Sequence, residues 1–142
     1  MSAALVAARE QAARIARLND RARQAMGLAC TAFVTVGFRS LPDADQSRVR
    51  KLIKTYDAFD EDSDAHGERD FGAVYQLGAG RWATERSRLR EDERERVFWK
   101  FDYYDRAMRF AGEDAADPAI TRRVLTIMLA DEHCKPQQRF AG

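Results

Sequence analysis

The residues best able to do chemistry in this chain are carboxylates. Asp60, Glu61, Asp62, Asp64, Glu68 and Asp70 fall close together, and Asp102 and Asp105 form a second group. Asp70 and Asp102 each sit in a stretch of alternating polarity. With the apolar faces of the two stretches matched, Asp70, Gly72 and Val74 oppose Phe98, Lys100 and Asp102. Like charges across a strand pair repel, so this pairing calls for a counter-charge, a shared proton or a bound cation. Lys100, Arg69, Arg122 and Arg123 are the counter-charges on offer. With Glu68 and Asp105 flanking, the hairpin end becomes a mouth of four carboxylates, suited to a hard divalent cation that activates water or clamps a phosphate. The competing reading is structural. Asp70 and Asp105 cap turns, Asp102 pairs with an arginine, and the cluster ties the hairpin to the last helix.

Asp60, Asp62 and Asp64 have the spacing of a calcium loop, but Ala65 stands where the loop needs glycine and Phe71 where it needs its closing glutamate. The run is therefore expected to be a solvated acidic loop. Asp60, Glu61, Asp62 and Asp64 can dock a basic partner surface, with Lys100 and Tyr104 on the polar face of a nearby strand as further contacts. Nucleophilic catalysis has little to build on. His66 and His133 are the only imidazoles, and Cys30 and Cys134 have neither CxxC spacing nor an evident partner.

Charge is unevenly distributed behind a net +1. Residues 1–54 carry ten Lys or Arg against four Asp or Glu, whereas residues 55–80 carry one Arg against seven acids. Arg9, Arg14, Arg17 and Arg21 in the basic part can follow a nucleic-acid backbone, although no aromatic residues are interleaved with them.

The elements that must position these residues follow from periodicity. Leu5, Ala8, Ala12, Ile15, Leu18, Ala22 and Met26 recur at helical steps before Gly27, predicting an amphipathic helix over residues 1–27 with its arginines, Arg23 included, mostly off the apolar stripe. A stripe that its own domain does not fully cover leaves pairing with a second copy open. Residues 30–38 alternate as a strand. Pro42, with Asp43 and Gln46 at capping-box spacing, opens a second helix that runs to Tyr56. Residues 70–77 and 95–104 read as a hairpin, with Phe71, Ala73, Tyr75 and Leu77 sharing a face with Val97, Trp99, Phe101 and Tyr103. Their long connection reads as an exposed, partly helical excursion. Asp117 and Pro118 then start what reads as a largely buried C-terminal helix, and residues 135–142 read as a flexible tail.

The expected fold is α+β, a single domain over residues 1–142 with a small, mainly antiparallel sheet of about three strands and helices on one face. A chain of this length buries roughly two thirds of its unfolded surface and needs no disulfide or metal to fold. The cysteine usage suits a reducing compartment, and charges from Arg9 onward rule out a signal-peptide or membrane-span core, so a cytoplasmic protein is expected.

Three segments, HGERDFG at 66–72, VFWKFDYYD at 97–105 and DPAITRRVLTIMLADEH at 117–133, resemble a family of short bacterial proteins of unknown function. The resemblance spans about Ile15 to His133. Its members look like accessory genes of plasmids, integrative elements and prophages, often beside anti-restriction and plasmid-maintenance genes. This chain departs from the family pattern at Arg69, where His is common, at His133, where Tyr is common, and in its longer hairpin connection. Together with the charge asymmetry, the resemblance implies a non-enzymatic accessory protein of a mobile element. It would bind a host macromolecule, a host protein above all, in an anti-restriction or anti-CRISPR role and without a cofactor. A divalent-metal-dependent enzyme built on the carboxylate cluster and a nucleic-acid-binding accessory protein are the two alternatives.

Overall fold

The computed structural model of the protein describes residues 2–28, 30–85 and 95–133. Helix α1 (Ala3–Gln24) leads into strand β1 (Thr31–Val34), a single-turn helix α2 (Val36–Arg39) and helix α3 (Asp43–Lys54). Strands β2 (Phe71–Gly78), β3 (Arg81–Ala83), β4 (Arg96–Asp105) and β5 (Thr121–Leu129) follow, and a 3-10 turn (Ala130–Glu132) ends the described chain. The sheet order is β1-β5-β4-β2-β3, with β1 parallel to β5 and the other neighbours antiparallel. The sheet therefore has five strands and is mixed, where about three antiparallel strands were expected. The expected tail at 135–142, and much of the long excursion before β4, lie outside the described residues.

The largest correction concerns the expected C-terminal helix, whose residues Thr121–Leu129 form the interior strand β5. Thr121, Val124, Thr126 and Ile127 are β-branched, which favours a pleated strand. A strand flanked on both sides and covered on both faces carries a continuous apolar run, which has the same wide arc as a buried helix. Asp117 does cap, but it caps a turn. Its Oδ1 accepts the Ala119 N–H at 2.9 Å and its carbonyl accepts the Ile120 N–H.

Other expectations shift locally. The strand expected over 30–38 stops at Val34 because the Thr35 hydroxyl accepts the Phe38 N–H and starts α2. In α3 no capping box forms; the Gln46 amide instead donates to the Arg39 and Leu41 carbonyls, both at 2.8 Å. Strands β2 and β4 pair as expected, with β3 folded back on the outer side of β2. Their register differs from the expected one by a single residue. Gly72 lies opposite Trp99 and Val74 opposite Val97, so these residues face the helices with Phe101 and Tyr103, while Phe71, Ala73 and Tyr75 share the other face with Phe98 and Lys100.

The core lies between the helices and this first face. Ala22, Phe38, Val49 and Ile53 pack on Val74, Val97, Trp99, Phe101, Leu125 and Ile127. On α1 the buried side chains are Ile15, Ala16, Asn19, Ala22 and Arg23, so Arg23 lies inside the stripe and not off it. The stripe's first turns are uncovered, with Leu5 44% and Val6 40% exposed. Among the described residues no helix is long and apolar enough to cross a membrane.

Candidate functional site

Two buried polar residues on α1 decide how the charged surfaces are placed. Asn19, fully buried, donates from Nδ2 to the Glu68 carbonyl (3.0 Å) and the Tyr103 hydroxyl (2.8 Å), while its Oδ1 accepts the Arg123 Nε–H at 2.9 Å. Arg123 also donates to the Ala115 carbonyl and lies 5.3 Å from the Tyr103 ring centre. One turn on, Arg23 is 2% exposed and donates to the carbonyls of Ile53, Lys54 and Tyr56 at and just past the end of α3. Its other nitrogen meets Asp20 at 2.6 Å, and Asp20 in turn holds Arg69 at 2.9 Å. Burial lowers the pKa of both Arg23 and Arg123 from the usual guanidinium value.

The expected four-carboxylate mouth is not assembled. The Asp70 carbonyl accepts the Phe101 N–H, which sets Asp70 opposite Phe101 on the helix side of the sheet, whereas Asp102 alternates to the other side. Asp105 lies three residues further along β4, roughly 10 Å away. There its Oδ1 accepts the Arg109 N–H, as the structural reading has it. Lys100 pairs with Asp102 at 3.4 Å. Glu68 and Asp70 do stay close. Burial, and for Glu68 the neighbouring Asp70 charge, push both carboxyls above the usual carboxylate range. Among the described residues no three His, Cys, Asp or Glu side chains gather as a metal-binding group.

The acidic loop folds on itself. Asp60 Oδ1 accepts the N–H groups of Asp62 and Ser63, and Asp64 Oδ1 accepts that of Arg69, whose φ of 56° is left-handed. These bonds hold the Asp60 carboxyl below its usual pKa. Glu61 and Asp62 remain exposed. Tyr104 and Lys100 are half-buried on the sheet face away from the helices, where His133 meets Phe71 and Phe98 edge to face.

On the opposite flank of Asn19 the charge changes sign. A cleft of about 480 Å³ opens where the second half of α1 meets the first residues of β1 and β5. Arg21, Arg106, Arg122 and Arg123 line it together with Cys30 and Thr31, and among the described residues no acidic one does. Arg21 and Arg122 are exposed and meet no carboxylate among the described residues. Arg17 and Arg14, also exposed, lie one and two turns back along the same face of α1 as Arg21. Cys30 donates its thiol to the Ala22 carbonyl, and burial raises its pKa, so it is a wall of the cleft and not a thiolate.

Sequence reasoning found Arg21 but missed Arg106, Arg122 and Arg123 as its companions. They lie far along the chain, two of them on a segment whose periodicity reads as helical. Arg9, Arg14 and Arg17 do not line the cleft.

A family model described as a protein of unknown function, DUF3768, matches residues 34–132. The match takes in Arg106, Arg122 and Arg123 and leaves out α1. Comparison with curated proteins and with solved structures gives no match.

Proposed function

The chain belongs to this family of proteins of unknown function, DUF3768, and we propose that it is a non-enzymatic binding protein whose ligand is a nucleic-acid phosphate backbone. The observation that carries this reading is the cleft lined, among the described residues, by four arginines and no acid. Arginine presents a planar fork of donors that matches phosphate oxygens, and two of these guanidiniums have no acidic partner among the described residues to give up on binding. Asn19 and Ala115 hold Arg123 in place at the floor, and Arg14 and Arg17 extend the track along α1. A mobile-element accessory role, directed at a host defence component, is the setting that the family resemblance supports.

The test is fluorescence anisotropy with labelled oligonucleotides across a salt series. Binding should weaken with a log–log slope of roughly 0.7 to 0.9 per phosphate engaged. Arg21→Glu combined with Arg122→Glu should abolish it at low salt. Binding that ignores salt, or survives the double substitution, would sink the reading.

A second reading, a basic host protein at the acidic loop, is favoured by the loop's own hydrogen bonds, which hold Glu61 and Asp62 exposed on a fixed backbone. Charge reversal at Asp60, Asp62 and Asp64 should release such a partner from tagged protein. A partner retained by that variant would exclude the loop as its site.

A further inference from the structure

Phe110 is 70% exposed, at the end of a turn that is otherwise tightly fixed. The Asp105 N–H donates to the Phe110 carbonyl at 2.9 Å, Met108 takes a left-handed φ of 62°, and Tyr104 bridges Ala111. A large ring held in water on an ordered backbone adds little to the fold, since burial is what makes an aromatic side chain stabilising. Beside it lies a depression of about 510 Å³, lined by Phe110, Ile120, Arg106, Asp105 and Glu113 among others. Ile120 is likewise exposed, at 43%. Arg106 lines both this depression and the arginine cleft, and its Nη1 lies 3.4 Å from the Pro118 carbonyl on the cleft wall. The apolar surface and the basic surface are thus continuous.

We propose that the two together form a single-stranded nucleic-acid site, with a backbone phosphate in the arginine cleft and the adjoining base stacked on Phe110 against Ile120. The inference rests on the phosphate reading of the cleft. Basic grooves interleaved with exposed aromatic rings bind single strands in this way, because every base has a face to stack. A duplex keeps its bases stacked inside and has no free face to offer. Asp105 and Glu113 repel a phosphate from the depression, yet a carboxylate accepts hydrogen bonds from the amino groups of bases. The depression therefore suits a base and the cleft suits a phosphate.

The experiment measures anisotropy of the full chain with one labelled sequence as single-stranded DNA, as RNA and as duplex DNA. Single strands should bind more tightly than the duplex, and the DNA and RNA arms show which backbone is preferred. Phe110→Ala should weaken single-strand binding by about tenfold while leaving the salt slope and duplex binding unchanged, and Phe110→Trp should restore it. If Phe110→Ala binds single strands like the wild type while Arg21→Glu/Arg122→Glu still abolishes binding, the base site is wrong and the phosphate cleft stands. If no oligonucleotide binds at low salt, or an acidic peptide binds as tightly and is indifferent to Phe110, both readings fall.

Discussion

Arg23 is the least exposed charged side chain among the described residues. Its guanidinium satisfies carbonyls at the α3 C-terminus, where a cation is also favoured by the helix dipole, and lies 5.1 Å from the centre of the Trp99 ring. Arg23→Ala takes a shared donor away from the Ile53, Lys54 and Tyr56 carbonyls in a buried site, while Asp20 keeps Arg69, so a loss of about 1–3 kcal/mol is expected from urea unfolding. Arg23→Lys keeps the charge without the fork and should recover only part of it; full recovery would mean that charge alone matters. Asp70 makes the opposite case. Burial, with Asp64 adding to it, raises its carboxyl pKa, so between the unfolded value near about 4 and that raised value the folded chain binds more protons than the unfolded one. Stability must therefore fall as pH rises through that window. Asp70→Asn removes the ionisation, and its urea midpoint should exceed the wild-type one at pH 7 and converge with it near about pH 4. A variant less stable than the wild type at neutral pH would show that the carboxylate holds the loop in place.

At the scale of elements, Gly72 explains why the hairpin register was hard to read. Strand β2 puts its larger side chains, Phe71 and Tyr75, on the face away from the helices, and opposes Gly72 to Trp99, which fills the space itself. A Cβ on Gly72 would lie 2.5 Å from Trp99 Nε1. An alanine within a strand ordinarily stabilises relative to glycine, but here Gly72→Ala should destabilise by about 1–3 kcal/mol, because the buried indole has to move. Adding Trp99→Phe should make the two effects non-additive in a double-mutant cycle, and strict additivity would place the strain elsewhere. Matching large apolar faces fails wherever both faces of a sheet are apolar and one large residue covers a glycine. For the same reason β5 was legible as buried but not as a strand. By contrast α1 and α3 were legible, since each has one wet side and one dry side and so shows its period, and the β2–β4 pairing was legible as a pairing though not in which faces it joins. The site was legible only in part. Arg21 stands out on α1, whereas Arg122 and Arg123 become its neighbours only because β5 pairs with β1. Phe110 did leave a signal, an aromatic residue alone in a polar connection, but a signal of that kind says nothing about what lies beside it.

Across the whole molecule, the polar residues divide into those that hold the fold and those that face outward. Asn19 stands at the division, with the Asp20–Arg69 pair and the acidic loop on one side and the arginine cleft on the other. This arrangement predicts that stability and binding respond to different substitutions. Asn19→Ala removes three hydrogen bonds from a buried site and leaves Arg123 Nε without its acceptor, so a cost of about 2–3 kcal/mol is expected, together with a looser Arg123 in the cleft. Arg122→Glu changes an exposed side chain with no carboxylate partner among the described residues, so its unfolding midpoint should stay close to that of the wild type while oligonucleotide binding collapses. Measured side by side, the two variants should separate, one moving thermal unfolding and the other moving only the binding isotherm and its salt slope. If Arg122→Glu lowered stability as much as Asn19→Ala does, the cleft arginines would belong to the scaffold and the binding assignment would lose its footing. The expected separation places the ligand on the rim of the cleft and the rigidity in its floor.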